Sequence, residues 1–141
     1  MFHMGRLIGL DVGQKRVGLA VSDPLGIIAT GLDTVHISKA FEYIDQYLQN
    51  ERVDLFVVGH PVQMNNNPSE SVRFIEPFVK KLRERYPGIP VKRVDERFTS
   101  KMAFQAMIDA GAGKKARKNK SAIDRISAVI MLQSFIDSKN I

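Results

Sequence analysis

Two apolar runs near the N-terminus, Leu7-Ile8-Gly9-Leu10-Asp11-Val12 and Val17-Gly18-Leu19-Ala20-Val21, are separated by the short segment Gly13-Gln14-Lys15-Arg16. Short apolar runs bounded by turn residues read as strands. So tight a connection makes the pair a hairpin, with strands over residues 6–12 and 16–23. Asp11 stands inside the first run. A carboxylate left alone in a low-dielectric interior costs several kcal/mol, so it must be paired, neutralised or bound to a cation. The turn beside it carries Lys15 and Arg16, which brings one acid and two cations together at a single point of the chain.

The elements that follow are read from their periodicity. A third apolar segment runs from Gly26 to Val35, after Pro24. A helix near 38–50 has Phe41, Ile44 and Leu48 on one face, with Ser38 as its N-cap. Val53-Asp54-Leu55-Phe56-Val57-Val58-Gly59 is a strand ended by His60-Pro61. Asn67-Pro68-Ser69-Glu70 then has the signature of a helix start, and Val72, Ile75, Val79 and Leu82 form its apolar stripe. Pro77 lies inside that helix and predicts a kink. Residues 91–96 alternate as a strand, a short helix runs from Thr99 or Ser100 to about 110, and the segment 111–120 is a loop. The last helix starts at Ser121 or Ala122 and ends near 138. The order β-β-β-α-β-α-β-α-α predicts an α/β protein with a mixed five-stranded sheet, antiparallel at first and parallel afterwards.

No repeat, linker or low-complexity tract divides the 141 residues, which predicts one domain over 1–141. No apolar run approaches the roughly 20 residues of a membrane span. The first six residues lead straight into a strand, so a signal peptide has no room and a cytoplasmic protein without membrane contact is expected. The chain has no cysteine, so any metal would be held by oxygen or imidazole, which favours magnesium or manganese. A net charge of +6 suits a polyanionic partner. Lys114, Lys115, Arg117, Lys118 and Lys120 crowd one short window and suit a nucleic-acid backbone, or equally a solvated loop. No aromatic residue is interleaved there, which argues against base stacking by this segment.

Three acids stand where apolar residues are expected. Strand parity puts Asp11 on the face of Leu7 and Gly9, and Glu96 on the face of Val94, away from Asp95 and Arg93. On the last helix, Asp124 shares a stripe with Ala128, Met131 and Phe135. Taken singly, each has an ordinary explanation: Asp11 pairs with Lys15 or Arg16, Glu96 with Arg93 or Arg97, and Asp124 sits at a helix dipole. Taken together, inward acids repel unless a cation holds them. Magnesium accepts carboxylate oxygens and leaves room for a phosphate. Two such ions about 4 Å apart would serve both oxygens of a phosphodiester exchange.

Four segments now stand together. Gly9-Leu10-Asp11-Val12-Gly13-Gln14-Lys15-Arg16-Val17-Gly18, Val57-Val58-Gly59-His60-Pro61, Val94-Asp95-Glu96-Arg97-Phe98-Thr99 and Ile123-Asp124-Arg125-Ile126-Ser127-Ala128 resemble, in order, the motifs of the YqgF/RuvX family. The resemblance implies a ribonuclease H-like fold and a metal-dependent nuclease site at Asp11, Glu96 and Asp124. It implies processing of the 5′ region of precursor 16S rRNA, with the pre-ribosomal small subunit as partner. It favours phosphate-contacting roles for Arg16 and Arg97. Two departures stand out. His60 occupies a position that is usually apolar, and one turn beyond Asp124 the chain has Ser127 and Ala128, where related junction resolvases carry a second acid.

The alternatives differ in class. A Holliday junction resolvase acting on branched DNA requires a two-fold dimer, whereas an RNA endonuclease works as monomer or homodimer. An actin-like phosphotransferase would use the Asp11-Val12-Gly13 turn for phosphate, but 141 residues leave no second domain to close over a nucleotide. A non-catalytic nucleic-acid-binding factor would not need the three acids.

Overall fold

The expected hairpin forms, and it supplies two of the five strands of a sheet. A computed structural model describes residues 5–60, 72–95 and 120–139. Its strands are β1 (Arg6–Val12), β2 (Arg16–Ser22), β3 (Ala29–His36), β4 (Val53–His60) and β5 (Val91–Asp95). Its helices are α1 (Ala40–Asn50), α2 (Val72–Arg85) and α3 (Lys120–Lys139). The expected helix start at 67–70, the helix near 99–110 and the basic stretch 114–118 lie outside the described residues.

The five strands lie in the order β3-β2-β1-β4-β5. The β1–β2 and β2–β3 ladders are antiparallel, and β1–β4 and β4–β5 are parallel. This is the mixed sheet expected from the element order. The central strand β1 is covered on both faces. Ile8, Leu10, Val12, Val17, Leu19, Phe56 and Val58 pack with Ala40 and Ile44 of α1 and with Ile75, Phe78, Val79 and Leu82 of α2. On the other face, Ala20 and Val57 pack with Ala128, Met131, Leu132 and Ile136 of α3, joined by Leu7, Leu55 and Val94. Burying each large apolar side chain stabilises by about 1.5–3 kcal/mol. A one-residue slip of β1 would expose or misplace that whole set and drive Asp11 into the α1–α2 face, so the register is strongly specified.

Local chemistry sets the boundaries. The turn after β2 is closed by Asp23, whose carboxylate accepts the N–H groups of Ile27 (2.7 Å) and Ile28 (2.9 Å). Gly26 turns there with φ of +69°, a conformation that costs glycine little. These bonds draw Gly26 to Ile28 into the turn, so β3 starts at Ala29, later than the apolar segment suggested. Ser38 is not the N-cap of α1. A 3₁₀ turn over Ile37–Lys39 precedes the helix, and His36 caps that turn by accepting the Ser38 N–H on Nδ1. Helix α2 is continuous through Pro77, whose ring is exposed. Helix α3 includes Lys120, the residue at the end of the loop expected over 111–120.

Candidate nucleic-acid-processing site

Register places Asp11 in a row that crosses the sheet. It pairs with Gly18 of β2, which pairs with Thr34 of β3. On the other side the parallel ladder reaches Leu10↔Val58, so the next rung sets Asp11 beside Gly59, which pairs with Val94 of β5. Alternation then assigns faces. Leu7, Ala20, Val57 and Val94 pack on the α3 side, and Asp11, Gly18 and Gly59 share their parity. The acid therefore has a glycine on each neighbouring strand, and both glycines are buried. Asp11 itself is half-buried between them.

Helix α3 brings a second acid position to the same place. Its C-terminal end lies at the start of β1, where Phe135 and Ile136 line a cavity with Gly5 and Leu7. Farther along, a Cβ at Gly9 would stand 2.9 Å from Leu132 Cβ and 3.4 Å from the Ala128 carbonyl. The helix thus runs antiparallel to β1, and the turn before Ala128, carrying Asp124 and Ser127, extends toward Asp11. The stripe Ala128, Met131 and Phe135 expected for that face is buried or half-buried. Glu96 is the residue after the last rung of β5 and lies outside the described residues, as do Arg97, Lys114, Lys115, Arg117 and Lys118. Among the described residues no group of three His, Asp or Glu side chains forms a metal cluster.

Arg16 opens β2 two residues from Gly18, on the α3 face by the same parity, and is half-buried. The hairpin closes tightly beneath it: the Gly13 N–H donates to the Arg16 carbonyl at 2.8 Å. A Cβ at Gly13 would come within 3.0 Å of that oxygen, which favours glycine in the turn.

Ser127 was visible in the sequence merely as the residue that is not a second acid. Its hydroxyl is fully buried and has no hydrogen-bond partner. Leaving a buried polar group unpaired costs about 1–3 kcal/mol, so an unmet hydrogen-bonding need lies one helical turn from Asp124. Helical spacing was the signal that located it; burial supplied its meaning.

Other charged groups serve the fold. Asp23 is held below the usual carboxylate range by the N–H groups of Ile28 and Ile27. Asp45 is held below it by hydrogen bonds from Arg85 and Tyr86, which tie α1 to the end of α2. The cavity of about 400 Å³ lined by Leu7, Leu25, Leu55, Phe135 and Ile136 is at the amino ends of the parallel strands. Asp11 is at their carboxyl ends, where open α/β sheets bind ligands.

Residues 5–138 match the family model described as RuvX, Holliday junction resolvase. The chain belongs to the RuvX family. A relative named "Putative pre-16S rRNA nuclease" from Phocaeicola vulgatus is 52% identical over 136 residues, covering 96% of this chain and 98% of the relative. One of the same name from Bacteroides fragilis is 47% identical over 138 residues, covering 98% and 100%. Among solved structures, RuvC of Thermus thermophilus in complex with a Holliday junction substrate covers 96% of each chain, with a TM-score of 0.58 and 15% identity. That likeness is one of fold, and it makes this RuvX-family sheet a ribonuclease H-like one. No described helix of the chain is long and apolar enough to cross a membrane.

Proposed function

We propose that this chain is a metal-dependent endonuclease that hydrolyses phosphodiester bonds in structured RNA, processing the 5′ end of precursor 16S rRNA. The observation that carries the reading is full-length similarity to relatives named as pre-16S rRNA nucleases, in a chain whose half-buried Asp11 lies on the sheet face that α3 covers.

The donor set suits a hard cation. Asp11, Glu96 and Asp124 offer carboxylate oxygens, and the orphan hydroxyl of Ser127 adds an oxygen that needs a partner. When bound, a magnesium or manganese ion would supply charge neutralisation at the phosphate and a more acidic water. The protein's own groups do the rest. Gly18 and Gly59 add no side chain of their own beside Asp11. Arg16 and Arg97 present planar forks that suit phosphate oxygens, and Lys114, Lys115, Arg117 and Lys118 hold the backbone farther out. Asp11 orients the cation and does not form a covalent bond to the substrate.

A second reading, a resolvase cutting branched DNA, is favoured by the RuvX family description and the likeness to junction-bound RuvC. The lack of a second acid one turn beyond Asp124, where the chain has Ser127 and Ala128, separates it from that chemistry. The test is cleavage of precursor rRNA and of a four-way DNA junction by wild-type protein and Asp11→Asn, with and without magnesium or manganese. Metal-dependent RNA cleavage lost in Asp11→Asn is expected. Undiminished RNA cleavage by the variant overturns the reading, and cleavage of the junction alone gives the resolvase its place.

A further inference from the structure

Of the three serines of α3 whose burial is described, Ser127, Ser134 and Ser138, the first and last have contrasting surroundings. Ser138 is exposed, and its hydroxyl donates to the Phe135 carbonyl at 2.7 Å. That back-bond to the preceding turn is the usual resource of a helical serine. Ser127 is fully buried and makes no such bond. Its neighbours toward the sheet, Ala128, Met131 and Leu132, are apolar and buried. Alanine would fill the same space without stranding a hydroxyl, so packing alone gives no reason for serine there.

Position decides what the hydroxyl serves. Gln133 and Arg125 look toward β3: the Gln133 side chain accepts the Ala29 N–H at 2.8 Å, and the Arg125 stem lies over Gly31. Ala128 and Leu132 meet Gly9 of β1. Ser127 lies one step farther round, on the stripe of Met131 and Phe135, which looks toward β4 and β5. Asp124 lies on the same stripe one turn earlier. The hydroxyl is thus placed over the face of β1 that carries Asp11, on its β4 side.

We propose that Ser127 is a positioning residue for the acidic site, its hydroxyl hydrogen-bonding to the hydration shell of a divalent cation held beside Asp11 and Asp124. This rests on the metal-site reading above. It explains why the oxygen has no protein partner: its partner arrives with the ion. Groups in this supporting role typically change metal affinity 10–100-fold when removed.

The test is manganese binding to the full chain, followed by electron paramagnetic resonance of the free ion, together with thermal unfolding with and without manganese. Wild-type, Ser127→Ala and Asp11→Asn proteins are compared. Ser127→Ala is expected to unfold at the same or a higher temperature than wild type without metal, yet to bind manganese about tenfold more weakly and gain less from it on heating. Asp11→Asn is expected to lose binding. Wild-type affinity in Ser127→Ala, with binding lost in Asp11→Asn, overturns the role of the hydroxyl and leaves the site reading standing. A lower metal-free midpoint in Ser127→Ala also overturns it, because the hydroxyl then serves the fold. Wild-type affinity in Asp11→Asn, or no binding by the wild-type chain, overturns the site reading and this inference with it.

Discussion

The side chain of Arg125 lies flat across Gly31. Its Cγ and Cδ come within 2.9 Å of where a Cβ at residue 31 would stand, so α3 seats its first turns on a glycine of the edge strand β3. A second glycine performs the same service on the central strand, where Gly9 admits Leu132 and the Ala128 carbonyl. Together these contacts set the height and direction of the helix that carries Asp124.

The two glycines differ in what must yield on substitution. At Gly31 the obstruction is a flexible, exposed arginine, and Gly31→Ala is expected to cost about 1 kcal/mol or less. At Gly9 it is buried Leu132 and a helix carbonyl, so Gly9→Ala is expected to cost about 2–3 kcal/mol, the upper range for overpacked cores. Urea unfolding of the two variants measures the difference, and equal losses would count against this account of the helix seat.

Ser22 has a different task. Its buried hydroxyl accepts the Leu7 N–H at 2.8 Å and donates to the Asp23 carbonyl at 2.9 Å, joining the start of β1 to the end of β2. Ser22→Ala strands a backbone donor and is expected to destabilise by about 1–2 kcal/mol. Hydrogen exchange at the Leu7 amide should accelerate in the variant. The opposite sign is expected for Ser127→Ala, because that hydroxyl has no partner to lose.

Asp45 gives the fold a dependence on acid. Its pKa is held below the ordinary 3.8 by hydrogen bonds from Arg85 and then Tyr86. A carboxyl with a depressed folded-state pKa contributes stability above its unfolded value, and that contribution is lost as pH falls through the folded one. The side chains are 37% and 52% exposed, so solvent and salt weaken the effect. Asp45→Asn is expected to lower the thermal midpoint modestly at pH 6, with the gap to wild type closing toward pH 2. A gap that stays constant would remove the ionised carboxylate from the explanation.

Arg16 is expected to act on the substrate. In the Asp11→Asn background, where binding can be measured without cleavage, Arg16→Ala should weaken RNA binding across sequences. It should also reduce the slope of log affinity against log salt by about one. A salt slope equal to that of Asp11→Asn alone would assign Arg16 to the protein and not to phosphate.

Much of the architecture was legible because its elements are locally periodic. Two apolar runs with a four-residue connection leave little but a hairpin, and parity put Asp11 with Leu7 and Gly9 on the face that α3 covers. Boundaries were harder wherever a side chain redirected the backbone. Asp23 pulled Gly26 to Ile28 into a turn, and His36, an uncommon cap, displaced Ser38 at the approach to α1. The apolar stripe of Ala128, Met131 and Phe135 on α3 was legible from helical spacing, and the place of Asp124 in the site stands as a proposal. Glu96 and Arg97 lie outside the described residues, and their place in the site stands as part of the proposal.

The sequence by itself determined the kinds of the described elements, their order, the hairpin and the face on which Asp11 falls, because strand and helix periods are properties of neighbouring residues. Only the tertiary structure decided that β4 lies beside β1, that Gly18 and Gly59 flank Asp11, and that α3 runs back over that face with Ser127 buried and unpaired. Those relations join residues far apart in the chain. They are chosen by which apolar faces bury one another, and no local pattern carries that choice.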